Sequence, residues 1–379
     1  MTSPPSLGRR SRIRWMFWLS LVVAVALYWR YNGPRPYPER LRLPAGFMVR
    51  LFATGVENAR SLTLGDSGTV FVGSRDAGNV YALPDTNRDG VADQVLTLAR
   101  GLEMPSGVAF RDGALYVAEV SRILRLDSIE SRLDDPPLPI VTYAEFPRDI
   151  PHGWKFIAFG PDGYLYVPVG APCNVCRVIE DRYAAIFRMR PDGSERSVFA
   201  RGVRNTVGFD WHPETGHLWF GDNGRDMMGE DLPPDEINVA TEAGQHFGFP
   251  KCFGTDVVDP DFGIEGDCTT STPPELDLPA HVAPLGLRFY TGASFPEPYR
   301  NALFLAEHGS SNRTEPVGYR LAVIREREGS LLSSEVFADG WLGRRRAWGR
   351  PVDVLVMPDG AVLVSDDLAD VIYRITYEP

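Results

Sequence analysis

The chain has 379 residues, 44% of them hydrophobic, and a formal net charge of −11. It is long enough to bury a large core without metal or disulfide staples. The first forty residues hold seven Arg and one acid, so the rest carries 32 basic against 49 acidic residues, which argues against nucleic acid as a partner.

In chain order, residues 15 to 29 form an uncharged run with Arg9, Arg10, Arg12 and Arg14 before it and Arg30 after it. This predicts one hydrophobic helix within residues 1–30 whose amino terminus stays in the cytoplasm. Fifteen residues cover roughly 22 Å of a roughly 30 Å hydrocarbon core, a mismatch that interfacial Trp and Tyr and snorkelling Arg accommodate. The expectation is a membrane anchor holding the protein on the periplasmic side of the cytoplasmic membrane. The alternative is a signal peptide cleaved after Ala26, in the A-x-A-like Ala24-Val25-Ala26, releasing a periplasmic or secreted protein. Residues 31–44, with four prolines, read as an extended tether.

From residue 45 to 379 a pattern recurs six times: a short apolar strand, a turn rich in Asp, Gly or Pro, a second strand of aliphatics and aromatics, and often a third. The first strands are 61–64, 107–110, 156–159, 208–211, 286–289 and 353–356; their partners are 70–72, 115–117, 165–167, 218–220, 303–305 and 362–364. Repeated antiparallel units of this length predict an all-β fold, a six-bladed β-propeller. Phe47 through Phe52 can close the ring as an outer strand of the last blade, and residues 223 to 283 are expected as loop on one face. Four cysteines in an exported chain fit two disulfides, with Cys173–Cys176 and Cys252–Cys268 preferred because each pair lies within one loop; zinc at Cys173-x-x-Cys176 is the other reading.

In a propeller the first strand of each blade is innermost, so residues just before it gather around the channel mouth. His152 and Arg204 each lie four residues before their strand, Asn205 and Arg350 three, and Arg60 immediately before. Cationic groups around one mouth suit an anionic ligand, and a histidine among them suits a general base. Asp85, Asn87, Asp89, Gly90, Val91 and Asp93 match positions 1, 3, 5, 6, 7 and 9 of a calcium loop, without the glutamate at position 12, which suggests a structural calcium.

His152-Gly153, Arg204-Asn205 before Gly208-Phe209, Asp222-Asn-Gly-Arg-Asp226 with Pro233-Pro-Asp-Glu-Ile-Asn238, and Gly244-x-His246-Phe-Gly-Phe-Pro250 together resemble the soluble quinoprotein sugar dehydrogenases. The branch usually labelled L-sorbosone dehydrogenase is the nearest match, over residues 45–379. The resemblance implies a six-bladed propeller holding pyrroloquinoline quinone (PQQ) and calcium. By position, His152 would be the base, Arg204 would contact the quinone carbonyls, and Asn205 and Arg350 would bind the cofactor. The main-chain oxygens of Gly224 and Arg225 and the Asp235 side chain would hold the catalytic calcium. Val207, Arg225 and Phe247 depart from the family pattern, and the cofactor lysine of the glucose enzymes is replaced, with His308 and Arg313 the nearest cations; these departures point away from glucose.

The function expected is oxidation of an aldose, sugar aldehyde or polyol, with a quinone or cytochrome as electron acceptor. A calcium-dependent lactonase-type hydrolase and a non-catalytic binding propeller are the rival readings.

Overall fold

The computed structural model describes residues 36–310, 312–327, 330–344 and 346–379. The hydrophobic helix expected within residues 1–30, and part of the tether, lie outside the described residues. Among the described residues no helix is long and apolar enough to cross a membrane, and helix is limited to 3-10 turns of three or four residues.

Six four-stranded antiparallel sheets form a propeller. Blade 1 runs Ala59–Leu64, Val70–Ser74, Val80–Leu83 and Leu96–Ala99; blade 2 runs Gly107–Arg111, Ala114–Ala118, Ile123–Leu126 and Ile140–Tyr143. Blade 3 runs Ala158–Phe159, Leu165–Val169, Ala185–Met189 and Ser197–Arg201; blade 4 runs Phe209–Trp211, Leu218–Asp222, Asp235–Ala240 and Leu276–Leu278. Blade 5 runs Pro284–Phe289, Leu303–Glu307, Arg320–Arg327 and Ser330–Ala338. Blade 6 takes Pro351–Val356, Val362–Asp366 and Val371–Tyr377 from the carboxy terminus and its fourth strand, Phe47–Thr54, from the amino-terminal side. Phe47 stands opposite Tyr377 and Thr54 opposite Val371, the closure expected from the sequence.

The second strands read as unbroken apolar runs because each sheet is covered on both faces, one by the blade before and one by the blade after. Phe71, Val80 and Ala82 of blade 1 meet Val108, Leu115 and Val117 of blade 2; Tyr166 and Ile186 of blade 3 meet Phe209 and Phe220 of blade 4. Full burial of each such side chain contributes about 1.5–3 kcal/mol. The closing strand is fastened by Phe47, whose ring meets Phe295 and Phe337 edge-on at centroid distances of 4.8 and 5.0 Å. Inner strands approach so closely that a Cβ on Gly208 would collide with the Leu285 carbonyl, and one on Gly286 with Asp353. Buried carboxylates bond the seams: Asp353 Oδ2 accepts the Leu62 N–H at 2.7 Å between blades 6 and 1, and Asp210 Oδ2 accepts the Phe289 N–H at 2.9 Å between blades 4 and 5.

Residues 223 to 283 are not all loop. They contain the third and fourth strands of blade 4 and a small hairpin, Cys252–Phe253 with Val257–Val258. The third strand is hard to recognise because its buried positions include Asp235, Glu236 and Asn238, polar residues held inside by hydrogen bonds. Both expected disulfides are present, Cys173–Cys176 and Cys252–Cys268, which excludes zinc at the first pair.

Candidate active site

The antiparallel order assigns every loop to one end of the propeller. Loops from fourth to first strands and from second to third strands share one end; the other two kinds share the opposite end. At the first end a recess of about 180 Å3 is lined by His152, Trp154, Arg204, Asn205, Asn223, Gly224, Asp226, Asp235, His281, Ala283, Gly309, Ser310 and Asn312. Each comes from one of those two kinds of loop or from a strand end beside it. Val207, two residues before the inner strand of blade 4, and Leu285 and Val352, the second residues of the inner strands of blades 5 and 6, pack together with Trp154 as an apolar plug near the axis.

His152 and Arg204 are joined through the end of a blade 3 strand. The Ala171 carbonyl lies 2.8 Å from His152 Nδ1, and the Ala171 N–H donates to the Arg204 carbonyl at 2.8 Å. A carbonyl can only accept, so Nδ1 carries the proton and Nε2 has a free lone pair. Burial, reinforced by the Arg204 charge, lowers the His152 pKa to about 4 and keeps the ring neutral at physiological pH.

Arg204 is buried. Its Nε donates to the Asn174 carbonyl at 2.8 Å, Nη2 to Asn174 Oδ1 at 3.0 Å and Nη1 to the Asn223 carbonyl at 2.9 Å. Its main-chain N–H and that of Asn205 donate to the two oxygens of Asp222 at 2.7 and 2.5 Å. The same device recurs in blade 6, where Asp366, also the last residue of a second strand, accepts the Arg350 N–H at 2.9 Å. Asn205 and Arg350, both three residues before their strands by sequence, are thus held in the same way.

Asp235 Oδ1 accepts the Gly224 N–H at 2.7 Å and Oδ2 the Ala283 N–H at 2.9 Å. Burial raises its pKa to about 6 and also raises Asp222 and Glu236, which oppose each other across the blade 4 ladder. The Arg225 guanidinium turns away from the recess to Asp259 and Asp261, at 2.6 and 3.1 Å, leaving its main chain beside Gly224. Among the described residues no three acidic, histidine or cysteine side chains converge as metal ligands, so a cation at Asp235 would depend on main-chain oxygens as well.

Arg60, His308 and Arg350 do not line the recess but meet at one buried carboxylate, Asp367, at 2.9, 3.1 and 3.0 Å. With His308 neutral, the two guanidiniums and one carboxylate give this cluster one net positive charge, and Arg350 is one-third exposed. Arg313 lies apart, bonded to the Glu230 carbonyl and to Asp231 at 3.1 Å. Phe247, in the sequence motif, packs on Phe220 in the core between blades 3 and 4.

The 85–93 loop joins the third and fourth strands of blade 1 and so lies at the opposite end. Asp85 accepts the N–H groups of Asp89 and Gly90 at 3.1 and 2.9 Å, Asp89 Oδ1 that of Val91 at 2.9 Å, and Asp93 that of Thr86 at 2.8 Å. The Arg50 guanidinium donates to the Asp89 carbonyl at 2.8 Å, and Arg374 packs on Gly90. The turn is held by its own hydrogen bonds, with the two arginines beside Asp89 and Gly90. A larger cleft of about 940 Å3, lined in part by Glu214, His217, Trp219 and Arg300, also lies toward that end, between blades 4 and 5. It contains none of the residues singled out from the sequence.

Sequence reasoning passed over Trp154, Asn174, His281, Asn312 and Asp367. Aligning the second-to-third loops as well as the segments before each first strand would have found Asn174 and Asp367, since both loop types face the same end.

A family model described as TrAA12-like matches residues 187–377. A protein of Borreliella burgdorferi described as uncharacterized is 35% identical over 353 residues, covering 89% of this chain and 91% of that protein. The chain belongs to the TrAA12-like family. The resemblance to soluble quinoprotein sugar dehydrogenases is thereby borne out at the level of the family. Among solved structures, the calcium structure of the Trichoderma reesei family AA12 enzyme has a TM-score of 0.75 at 18% identity, covering 92% of this chain and 98% of that one. The holo form of the PQQ domain of Coprinopsis cinerea pyranose dehydrogenase has a TM-score of 0.74 at 17% identity, covering 91% and 98%. The PQQ-bound aldose sugar dehydrogenase of Streptomyces coelicolor has a TM-score of 0.64 at 20% identity, covering 89% and 100%. At these identities the likeness establishes the fold.

Proposed function

We propose that this TrAA12-like propeller is a dehydrogenase that uses PQQ and calcium to oxidise an aldose, sugar aldehyde or polyol. The observation that carries the reading is a neutral histidine and a buried arginine joined through Ala171 in one recess. Family membership and the PQQ in the Coprinopsis and Streptomyces relatives support the choice of cofactor.

The quinone, when bound, supplies a two-electron acceptor for hydride from the substrate carbon. His152 Nε2 takes the substrate hydroxyl proton, and Arg204, with three of its five N–H groups bonded to protein, has two left for negative charge on the ligand. Asn205 and Arg350 would hold the cofactor with Arg204; Arg60 adds positive charge behind Arg350, where the neutral His308 bonds Asp367, while Arg313 is committed to the 230–231 loop. Trp154 Nε1, buried without a protein acceptor in the recess wall, fits a ligand with acceptor oxygens.

Calcium would be held by Asp235 with the main-chain oxygens of Gly224 and Arg225, a hard-oxygen set suited to that ion. Among the described residues no ion pair neutralises the buried Asp235 carboxylate, which fits a cation beside it. The lactonase reading needs converging carboxylates that the described residues do not provide.

Two disulfides suit an exported protein, placed on the periplasmic side of the membrane by the amino-terminal segment and passing electrons to a quinone or cytochrome. Sequencing the amino terminus of fractionated native protein tests this: a soluble form starting at Leu27 would refute the anchor. The enzymatic reading is tested by reconstituting the protein with PQQ and calcium and recording its spectrum with a panel of aldoses, sugar aldehydes and polyols. Substrate-dependent bleaching of the quinone band is expected; bound PQQ unreduced by every member would favour a binding propeller.

A further inference from the structure

Arg204 does not reach the recess unaided. Two of its three side-chain hydrogen bonds end on Asn174, one on the carbonyl and one on Oδ1. The same Oδ1 accepts the Asp226 N–H at 2.8 Å, and Asn174 Nδ2 donates to the Asp226 carbonyl at 3.0 Å. Asn174 thus joins the Arg204 guanidinium to the main chain of the 223–226 loop, which contributes Asn223, Gly224 and Asp226 to the recess. The link from Arg204 to this loop runs through Oδ1, which accepts from both, and alanine removes it.

Asn174 is one of the two residues between Cys173 and Cys176, which a disulfide joins. Cys173, Val175 and Val178 pack against Ala171, Ala184, Phe249 and Phe253, and Phe253 adjoins Cys252 of the second disulfide. Ala171 in this small core is also the residue that bonds His152 and Arg204.

We propose that Asn174 is the positioning residue for Arg204, and that the Cys173–Cys176 disulfide fixes it in place. A guanidinium has many rotamers, and a misplacement of about 1 Å can cost about 10²-fold in rate, so fixing it before the ligand arrives has a direct catalytic effect. The role in turnover rests on the dehydrogenase reading above; the role in holding Arg204 does not.

The test therefore has two readouts on the full chain. In protein labelled with 15N-arginine and free of cofactor, the Arg204 Nη2–H groups, one of which is bonded to Asn174 Oδ1, should exchange slowly, and at least about tenfold faster in Asn174→Ala. Asn174→Asp, which keeps the Oδ1 acceptor, should stay within about threefold of wild type. Cys173→Ser with Cys176→Ser leaves Asn174 present but frees its loop and should also speed exchange, which keeps the test open if Asn174→Ala does not fold. After reconstitution with PQQ and calcium, Asn174→Ala should lower kcat by about 10- to 100-fold with KM changed less than about threefold, and Asn174→Asp should recover most of the loss. Unchanged exchange in Asn174→Ala, a lowered melting temperature with unchanged exchange and kcat, or an Asn174→Asp as impaired as Asn174→Ala would overturn the proposal. Wild-type protein that takes up no PQQ would defeat the dehydrogenase reading alone, and the exchange rates would still decide whether Asn174 holds Arg204.

Discussion

Gly170 stands between the two groups at the centre of the recess: a Cβ at position 170 would lie 2.6 Å from the His152 Cβ and 3.3 Å from the Arg204 carbonyl oxygen. His152 has φ of 52°, a left-handed conformation that costs a non-glycine residue of order 1–3 kcal/mol and is kept here by its surroundings. Gly170→Ala should push His152 off its Ala171 hydrogen bond and slow quinone reduction at least about tenfold with the circular dichroism spectrum retained. A wild-type single-turnover rate in this variant would show that the close packing does not set the histidine.

The pH dependence follows from the same burial. With its pKa lowered to about 4, His152 remains an available base well below the usual histidine range, so the acid limb of turnover due to it should lie near pH 4 rather than near 6.5. The stability effect has a defined sign. The unfolded chain takes up the proton first as pH falls below about 6.5, so this residue lowers stability progressively between about 6.5 and 4. In His152→Gln, melting temperature plotted against pH should flatten in that window while quinone reduction slows by about 10²-fold or more.

Asp235 is raised to about 6 by burial, and a calcium ion needs it ionised. Calcium affinity in reconstitution should therefore weaken as pH drops through about 6, and Asp235→Asn should need at least about tenfold more calcium. Calcium titrations at pH 5.5 and 7.5 check both statements; superimposable curves would remove Asp235 from the ligand set.

Burial alone would raise Asp367, but His308, Arg60 and Arg350 outweigh it and hold its carboxyl far below the usual range. Because the folded-state pKa is depressed, the stabilisation is present above about pH 4, the unfolded value, and is lost as pH falls below it. Asp367→Asn leaves buried guanidinium charge uncompensated and should cost about 3–5 kcal/mol, read from denaturant unfolding at pH 7. The difference from wild type should shrink toward acid pH.

The fold was legible because a propeller repeats one local pattern. Each second strand is apolar on both faces, so Val70–Ser74, Leu165–Val169 and Val362–Asp366 stand out without any knowledge of their neighbours. The spacing before each inner strand likewise placed His152, Arg204, Asn205 and Arg350 at one end, since blades repeat their geometry along with their pattern. Tertiary structure alone decided which charges pair: Arg60, His308 and Arg350 are separated by up to 290 positions in the chain, yet share Asp367. It also revealed Asp235–Ala240 as a strand, because hydrogen bonds to main-chain groups distant in sequence allow its polar residues to be buried. The repeat could place Asn174 at the recess end but could not name its partners. Its importance lies in bonds to Arg204 and Asp226, 30 and 52 residues away, and nothing in a local pattern encodes the partner of an asparagine.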